Sequence, residues 1–253
     1  MFGKNNAICI AGKNNCAIEC LNYTKEKYNN LKIFSLPNKS DDGKDKWQRS
    51  FKKFSKNKDI EIINLKKLYN IKELIFFSIE YEKIIDITNF KSKKLFNLHF
   101  SLLPKYRGCH TNFYQIFNGE KKSGVTLHKI DEGIDTGDIV DFISFKVGPN
   151  TSAYENYFKL MKFSVKLFKK NLDNIIRNKF STKKQNLSLG NYFSRKSVNY
   201  KKISKINVVK NNITTHNKIR SLIFPPFQLP IYKGNKIKKS IFKNNKINLV
   251  YEI

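Results

Sequence analysis

Residues 7–28 run Ala7-Ile8-Cys9-Ile10-Ala11, then Gly12-Lys13-Asn14-Asn15, then an amphipathic stretch from Cys16 to Tyr28. The opening apolar run has the length of a buried strand, the next residues are turn formers, and the last segment has helical character. This β-turn-α unit predicts a sheet covered by helices, and the first half of the chain repeats the pattern. Lys32 to Leu36 reads as a second strand, closed by the turn-forming run from Pro37 to Gly43. Lys46 to Ser55 carries Trp47, Phe51 and Phe54 at helical spacing. Glu61–Asn64, Leu74–Ile79 and Phe96–Phe100 supply further strands, and His110–Phe117 a short helix. Val125–Ile130 and Ile139–Val147 read as an antiparallel pair joined by a glycine-rich loop, before a long amphipathic helix from Tyr154 to Ile176. The expected class is α/β.

The polar stretch from Arg177 to Gln185 reads as a boundary, dividing the chain into 1–178 and 179–253. The second piece is short for an independent core and reads as a small mixed C-terminal domain. It holds a helix within Ile213–Phe224, stopped by Pro225-Pro226, and alternation from Lys236 to Ile253 that predicts a terminal β-hairpin.

Composition narrows the class further. The chain has 253 residues, 40% hydrophobic, enough for a real core and against wholesale disorder. Its longest apolar runs fall far short of the ~20 residues of a membrane helix. The N-terminus lacks a basic region, apolar stretch and cleavage site in series, so the expected location is the cytoplasm. Cys9, Cys16, Cys20 and Cys109 match no zinc spacing and read as reduced thiols, with no metal expected. A net charge of +29, from 49 basic and 20 acidic residues, has the size of a nucleic-acid binder's. The basic residues are scattered through the chain with Asn and Ile, however, and form no local patch. Nucleic acid is therefore not the expected partner, and an acidic small molecule would benefit equally from this field.

The Gly12-Lys13-Asn14-Asn15 turn has one glycine, where a dinucleotide fingerprint needs three. It remains either a phosphate site of another kind, using free N–H groups at a helix start and the Lys13 charge, or a solvated turn. The chemistry concentrates in Asn97-Leu98-His99-Phe100-Ser101-Leu102-Leu103-Pro104-Lys105-Tyr106-Arg107-Gly108. Asn97 and His99 alternate on a strand and leave by the same face, where polar groups are costly unless bonded. Downstream lies Asp131-Glu132-Gly133-Ile134-Asp135-Thr136-Gly137-Asp138, a loop dense in carboxylates and glycines. Asn, His and Asp together suit acyl transfer, with Asn97 donating to an oxyanion, His99 handling protons and Asp135 orienting or charging the imidazole; the alternative is a satisfied structural histidine on a strand and an ordinary acidic turn.

NLHFSLLPKYRG followed by SGVTLHKIDEGIDTGDIV resembles the folate-dependent formyltransferases, whose signature is Asn-x-His on a strand, then SLLP, then an aspartate in a D-x-G-x-D-x-G loop. Phe100 stands where tRNA and purine-pathway members usually carry proline. IAGKNN, LIFFSIEYEKII and FPPFQLP make the chain most similar to sugar N-formyltransferases of the dTDP-4-amino-4,6-dideoxyglucose type. The resemblance implies a Rossmann-like formyltransferase domain, and a C-terminal domain used for dimer contacts and substrate placement in a homodimer. It also implies 10-formyltetrahydrofolate as cofactor, a nucleotide-linked amino sugar as substrate, and a product destined for surface polysaccharide such as lipopolysaccharide O-antigen.

By the same resemblance Asn97, His99 and Asp135 are catalytic, while Glu80, Tyr81, Glu82, Lys83, Ile130, Asp131, Gly133 and Asp135 meet the pterin. Gly12, Lys13, Asn14 and Asn15 match a loop that holds substrate phosphate. Lys105 and Arg107 either pair with a pyrophosphate or are solvated. His110 either replaces a substrate-contacting aromatic or opens a helix with its ring in solvent. His128 and His216 carry no assigned role. The main alternative is a methionyl-tRNA formyltransferase, which the charge favours and the short C-terminal piece opposes.

Overall fold

Strand β1 (Ala7–Gly12) is buried at all six residues, as a parallel strand covered on both faces must be. In the computed structural model, which describes residues 7–225 and 227–252, it leads into α1 (Asn14–Lys27), then β2 (Lys32–Pro37), α2 (Phe51–Asn57), β3 (Glu61–Ile62), α3 (Leu65–Tyr69), β4 (Leu74–Ile79) and β5 (Lys94–His99). After these come β6 (Arg107–Gly108), α4 (Thr111–Phe117), β7 (Lys122–Lys129), β8 (Ile139–Lys146) and α5 (Ala153–Ile176). The chain continues through β9 (Tyr192–Phe193), α6 (Tyr200–Ile203), β10 (Lys205–Ile206), α7 (Ile213–Leu222), β11 (Ile231–Tyr232), β12 (Asn235–Lys243) and β13 (Lys246–Tyr251). The residues read for a leader, Pro226 and Ile253 lie wholly or partly outside the described residues.

The contacts group the chain into two units. Among the described residues, one comprises 7–99, 125–143 and 161–187, the other 100–124, 144–160 and the residues from 188 onward. The sequence expectation divided the chain once, at 178/179, whereas each unit here is assembled from three separated segments.

The main sheet has the order β3-β2-β1-β4-β5-β7-β8, with β1 parallel to both β2 and β4, β4 parallel to β5, and β5 antiparallel to β7. This is the expected α/β class. Order reverses between β1 and β4, so the carboxyl ends of these strands flank the crevice where open α/β sheets bind ligands. The period-two alternation of strands sorts the core into two layers. Ala7, Cys9, Ala11, Phe34, Leu36, Leu74 and Phe76 belong to one buried cluster with Leu68, Ile85 and Phe90. Phe77 faces the other way, stacks on Phe96 at 5.5 Å and meets Phe168 of α5 edge-on at 4.9 Å. Cys9, Cys16 and Cys20 are buried free thiols, and Cys109 is half-buried. Burial pushes the Cys9 thiol up, and a hydrogen bond with Cys20 and burial do the same at Cys16, which disfavours the reactive thiolate at both.

The expected helix over Lys46–Ser55 is corrected at its start. Helix α2 begins at Phe51, because Ser50 caps it by accepting from the Lys53 amide at 3.0 Å. Asp41 accepts from Ser50 Oγ at 2.6 Å and the Lys52 amide at 2.9 Å, while Asp45 accepts from the Ser50 amide at 2.9 Å. These carboxylates compete with helical bonding and hold the preceding residues, including Trp47, in an irregular loop.

The second unit carries a four-stranded sheet of order β10-β11-β12-β13, packed around Phe113, Ile206, Ile219, Leu222, Ile223 and Ile237. The expected terminal hairpin is β12–β13. Its Asn244 and Asn245 turn at φ 50° and 56°, the paired positive φ that a tight two-residue hairpin demands.

His216 on α7 is fully buried there, with Nε2 donating to the Pro149 carbonyl at 2.9 Å and Nδ1 accepting from Ser240 Oγ at 2.8 Å. Burial lowers its pKa from 6.5, the nearby Arg220 charge adds to this, and the Pro149 bond opposes it. A depressed histidine binds fewer protons folded than unfolded, so its stabilising contribution is complete above about pH 6.5 and is lost as pH falls through the folded value. Thermal melts between about pH 7 and 5 should therefore decline more steeply for the wild type than for His216→Gln. Equal slopes would show that His216 does not govern this response.

Candidate active site

Asn97 and His99 leave the same face of β5 near its carboxyl end, with their neighbours Phe96 and Leu98 buried. The antiparallel partner β7 sets Asn97 opposite His128 and His99 opposite Thr126. The loop from β7 to β8 then returns Asp135 to this face. Lys129 N donates to the Asp138 carbonyl at 2.9 Å and closes its neck, and Ile130 N donates to Leu95 O at 2.8 Å. Asp131 Oδ1 accepts from Thr136 Oγ1 at 2.7 Å and the Gly133 amide at 3.2 Å. A Cβ on Gly137 would lie 1.9 Å from the Lys129 carbonyl oxygen, so only glycine lets the two sides of the loop approach this closely. Asp135 itself sits at φ 56°, an uncommon conformation outside glycine.

The result is a carboxylate faced by three side chains. Asn97 Nδ2 donates to Asp135 Oδ1 at 3.1 Å. His99 Nδ1 lies 3.4 Å from Oδ2, and His128 Nε2 lies 3.5 Å from Oδ1. The side chains of His99 and Asp135 are only 7% and 12% exposed, so their contact is little screened by water. His128 Nδ1 lies 2.7 Å from the Lys129 carbonyl oxygen, an acceptor, so in the neutral ring Nδ1 carries the proton and Nε2 accepts from Asn97 Nδ2 at 3.1 Å. Both amide protons of Asn97 are thereby engaged inside the cluster. The predicted Asn97, His99 and Asp135 come together as one constellation, and His128 joins them although the sequence reading gave it no role.

Of the residues expected to meet the pterin and a phosphate, Gly12 to Asn15 and Glu80 to Lys83 lie at carboxyl ends of the parallel strands, whereas Ile130, Asp131 and Gly133 follow the antiparallel strand β7, beside the start of β5. Gly12 ends β1, and a Cβ there would sit 1.9 Å from the Ile79 carbonyl oxygen. Lys13 is the N-cap of α1 without a side-chain capping bond, and Asn14 has φ 62°. The Asn15 amide is taken by Gln48 Oε1 at 3.1 Å. Lys13 and Asn14 line a cavity of about 90 Å³ with Ser40, Lys44, Gln48 and Arg49. Glu80, at φ 57°, follows β4, and its carbonyl accepts from the buried Asn38 amide at 3.0 Å. Glu82 accepts from the Lys39 amide at 2.5 Å and Ser40 Oγ at 2.8 Å. Burial pushes the Glu82 carboxyl up, but these hydrogen bonds and the Lys13 charge outweigh it and the pKa falls. Burial pushes the Tyr81 hydroxyl to about 12, and Lys83 is exposed. Ile130 and Asp131, with Ile87 and Leu95, line a cleft of about 270 Å³.

Lys105, Arg107 and His110 belong to the second unit. Lys105 is exposed, 3.6 Å from Glu120. Arg107 Nε is buried with no hydrogen-bond partner among the described residues. His110 does open helix α4, at φ 58°, but its ring is not turned to solvent. Nε2 donates to the Arg195 carbonyl at 2.9 Å, and Nδ1 lies 3.2 Å from the Tyr200 hydroxyl. Among the described residues no group of three or more His, Cys, Asp or Glu side chains could hold a metal, and no helix is long and apolar enough to cross a membrane.

Residues 7–172 match the formyl transferase family. The chain belongs to that family. The match covers both β5 and the Asp135 loop. Among curated relatives, the bifunctional polymyxin resistance protein ArnA of Wigglesworthia glossinidia brevipalpis is 38% identical over 162 residues, 62% of this chain and 24% of that protein. The methionyl-tRNA formyltransferase of Clostridium tetani is 36% identical over 157 residues, 62% of this chain and 49% of that protein. The formyl transferase chain thus spans about a quarter to a half of these relatives. Among solved structures, the sugar 3N-formyl transferase WlaRD, determined with dTDP and 5-N-formyl-THF, superposes with a TM-score of 0.90 at 46% identity, covering 96% of this chain and 88% of that one. The N-formyltransferase from Helicobacter canadensis, in complex with folinic acid and dTDP-3-aminofucose, superposes with a TM-score of 0.88 at 44% identity, covering 94% and 88%.

Proposed function

We propose that the protein transfers a formyl group from 10-formyltetrahydrofolate to the amino group of a nucleotide-linked sugar, a dTDP-linked 3-amino-6-deoxyhexose. The observation that carries this is the cluster itself: an amide donor, two imidazoles and a carboxylate only 12% exposed, brought together by two adjacent strands and one loop. Support for the acceptor comes from the two neighbours above 40% identity, one a sugar 3N-formyl transferase and the other bound to dTDP-3-aminofucose. The sequence expectation placed the amine at C4, so the two ring positions are rival outcomes. The tRNA reading has its own support in the Clostridium tetani relative and the charge of +29.

The residues present fit a folate in one respect. Ile87, Leu95 and Ile130 give one cleft an apolar lining, with Asp131 and Asp138 also among its walls, suited to a flat, amide-like heterocycle. The folate supplies an electrophilic formyl carbon and an amine leaving group. Asn97 and a ring N–H of His99 then donate to the oxygen on which negative charge develops. Both Asn97 protons are engaged at rest, so donation exchanges one internal bond for one to that oxygen. Giving up the Asp135 bond leaves Oδ1 able to accept the proton that the attacking amine sheds as its C–N bond forms, and to return it to the folate nitrogen as the formyl bond to that nitrogen breaks.

The test is a mass-spectrometric assay of the purified protein with 10-formyltetrahydrofolate and dTDP- or UDP-linked 3- and 4-amino sugars, with formyl-acceptor tRNA alongside. A formyl mass gain on a dTDP-3-amino sugar is expected. Gain on the 4-amino sugar alone would move the acceptor position, and gain on tRNA alone would replace the sugar reading.

A further inference from the structure

The polar stretch after α5, read from sequence as a domain boundary, folds back over the active-site loop. Phe180 packs edge-on against Phe96 of the central sheet at 5.5 Å. Lys183 and Ile139 exchange both backbone hydrogen bonds at 2.8 Å, fastening this strap to the start of β8. Thr182 Oγ1 lies 3.3 Å from Asp138 Oδ2. Two residues beyond Lys183, Gln185 Nε2 donates to the Asp135 carbonyl at 3.0 Å and to the Gly137 carbonyl at 2.7 Å.

The chemistry of those contacts fixes the amide. Both partners are carbonyl oxygens, which only accept, so the NH2 end must face them. The flipped amide would set Oε1 against two oxygens. Oε1 is buried with no hydrogen-bond partner among the described residues, so the side chain is held by its donor end alone. The carbonyls it ties together flank Thr136, beside an Asp135 whose φ of 56° persists only where its surroundings hold it.

We propose that Gln185 is a positioning residue for Asp135. It fixes the loop backbone so that the carboxylate meets Asn97 and His99, and it touches neither substrate nor reacting atom. The inference rests on the formyl-transfer reading for its kinetic consequence, but not for its structural one.

Three variants and two readouts test it. Gln185→Ala removes the donor. Gln185→Glu keeps the shape but, when ionised, offers no donor and faces two carbonyl oxygens with negative charge; when protonated it regains one O–H donor. Lys184→Ala, an exposed neighbour, is the control. A displacement of ~1 Å near reacting groups costs up to about a hundredfold in rate. Both Gln185 variants should therefore lose about ten- to a hundredfold in kcat, with KM for both substrates within about twofold. The Gln185→Glu rate relative to wild type should recover as pH falls, and that of Gln185→Ala should not.

The second readout needs no turnover. The chain has four histidines, so their imidazole resonances can be followed by NMR. In Gln185→Ala those of His99 and His128 should shift, while those of His110 and His216 and all four in Lys184→Ala stay in place. Unshifted His99 and His128 signals would overturn the proposal, as would a Gln185→Ala kcat equal to wild type. An inactive wild type with shifted His99 and His128 signals would sink the functional reading and leave the positioning role standing.

Discussion

Replacing His99 by alanine is expected to lower kcat for formyl transfer by about two to three powers of ten, the cost of losing one donor to a developing oxyanion. The loss should fall on kcat, because His99 contributes where charge appears in the transition state and little to holding the ground state. His99 is buried at the end of β5 against the Asp135 carboxylate, so no surface side chain can replace it. Its removal leaves a small cavity beside a carboxylate still bonded to Asn97, and the fold should survive. Circular dichroism and thermal melting close to wild type, with kcat reduced as stated, is the expected pair of observations. A variant that keeps its kcat would remove His99 from the chemistry.

The second large effect is expected at Asp135. Asp135→Asn keeps the shape and tolerates the left-handed backbone at φ 56°, where alanine would add strain of its own. It removes the negative charge beside His99 and puts a second amide against Asn97 Nδ2, so an acceptor is lost and two donors can compete. Proton-transfer roles of this kind are worth about two to four powers of ten in rate. The loss should persist at saturating concentrations of both substrates, which separates a proton-transfer role from a binding one. Activity within a few-fold of wild type would mean that the carboxylate only shapes the loop.

The fold was legible where physical periodicity is local. The unbroken apolar run of β1 and the period-two exit of Asn97 and His99 match strands β1 and β5, and the expected antiparallel pair is β7–β8, tied by Lys129 N to Asp138 O at one end and Val147 N to Lys121 O at the other. Asp135 was legible through the D-x-G-x-D-x-G motif that its loop shares with the formyltransferases, because an acidic glycine loop alone reads as an ordinary turn. His128 was missed although its signal was present. Thr126 and His128 alternate on β7 between buried Val125 and Leu127, the same polar-face pattern that singled out Asn97 and His99. Adjacent Lys129 made the histidine look like a solvated strand end, whereas the antiparallel register sets it opposite Asn97.

Gln185 left no such signal. It lies in a polar stretch without periodicity, and only the long-range pairing of Lys183 with Ile139 shows that this stretch belongs over the loop. The same limit governs the units. Segments 100–124 and 144–160 join the C-terminal residues through contacts that no window of neighbouring residues encodes. The start of α2 was missed for a different reason: side-chain bonds from Asp41 and Asp45 overrode an aromatic spacing that suits a helix equally well.

The most direct measurement of the central claim follows the carbon itself. 10-Formyltetrahydrofolate carrying a 13C-labelled formyl group, incubated with the protein and a dTDP-3-amino-6-deoxyhexose, should yield a new labelled formamide on the sugar nitrogen by 13C NMR. The signal should be absent with His99→Ala over the same time. Label appearing only as free formate would contradict the account, because the site would then be passing the formyl group to water.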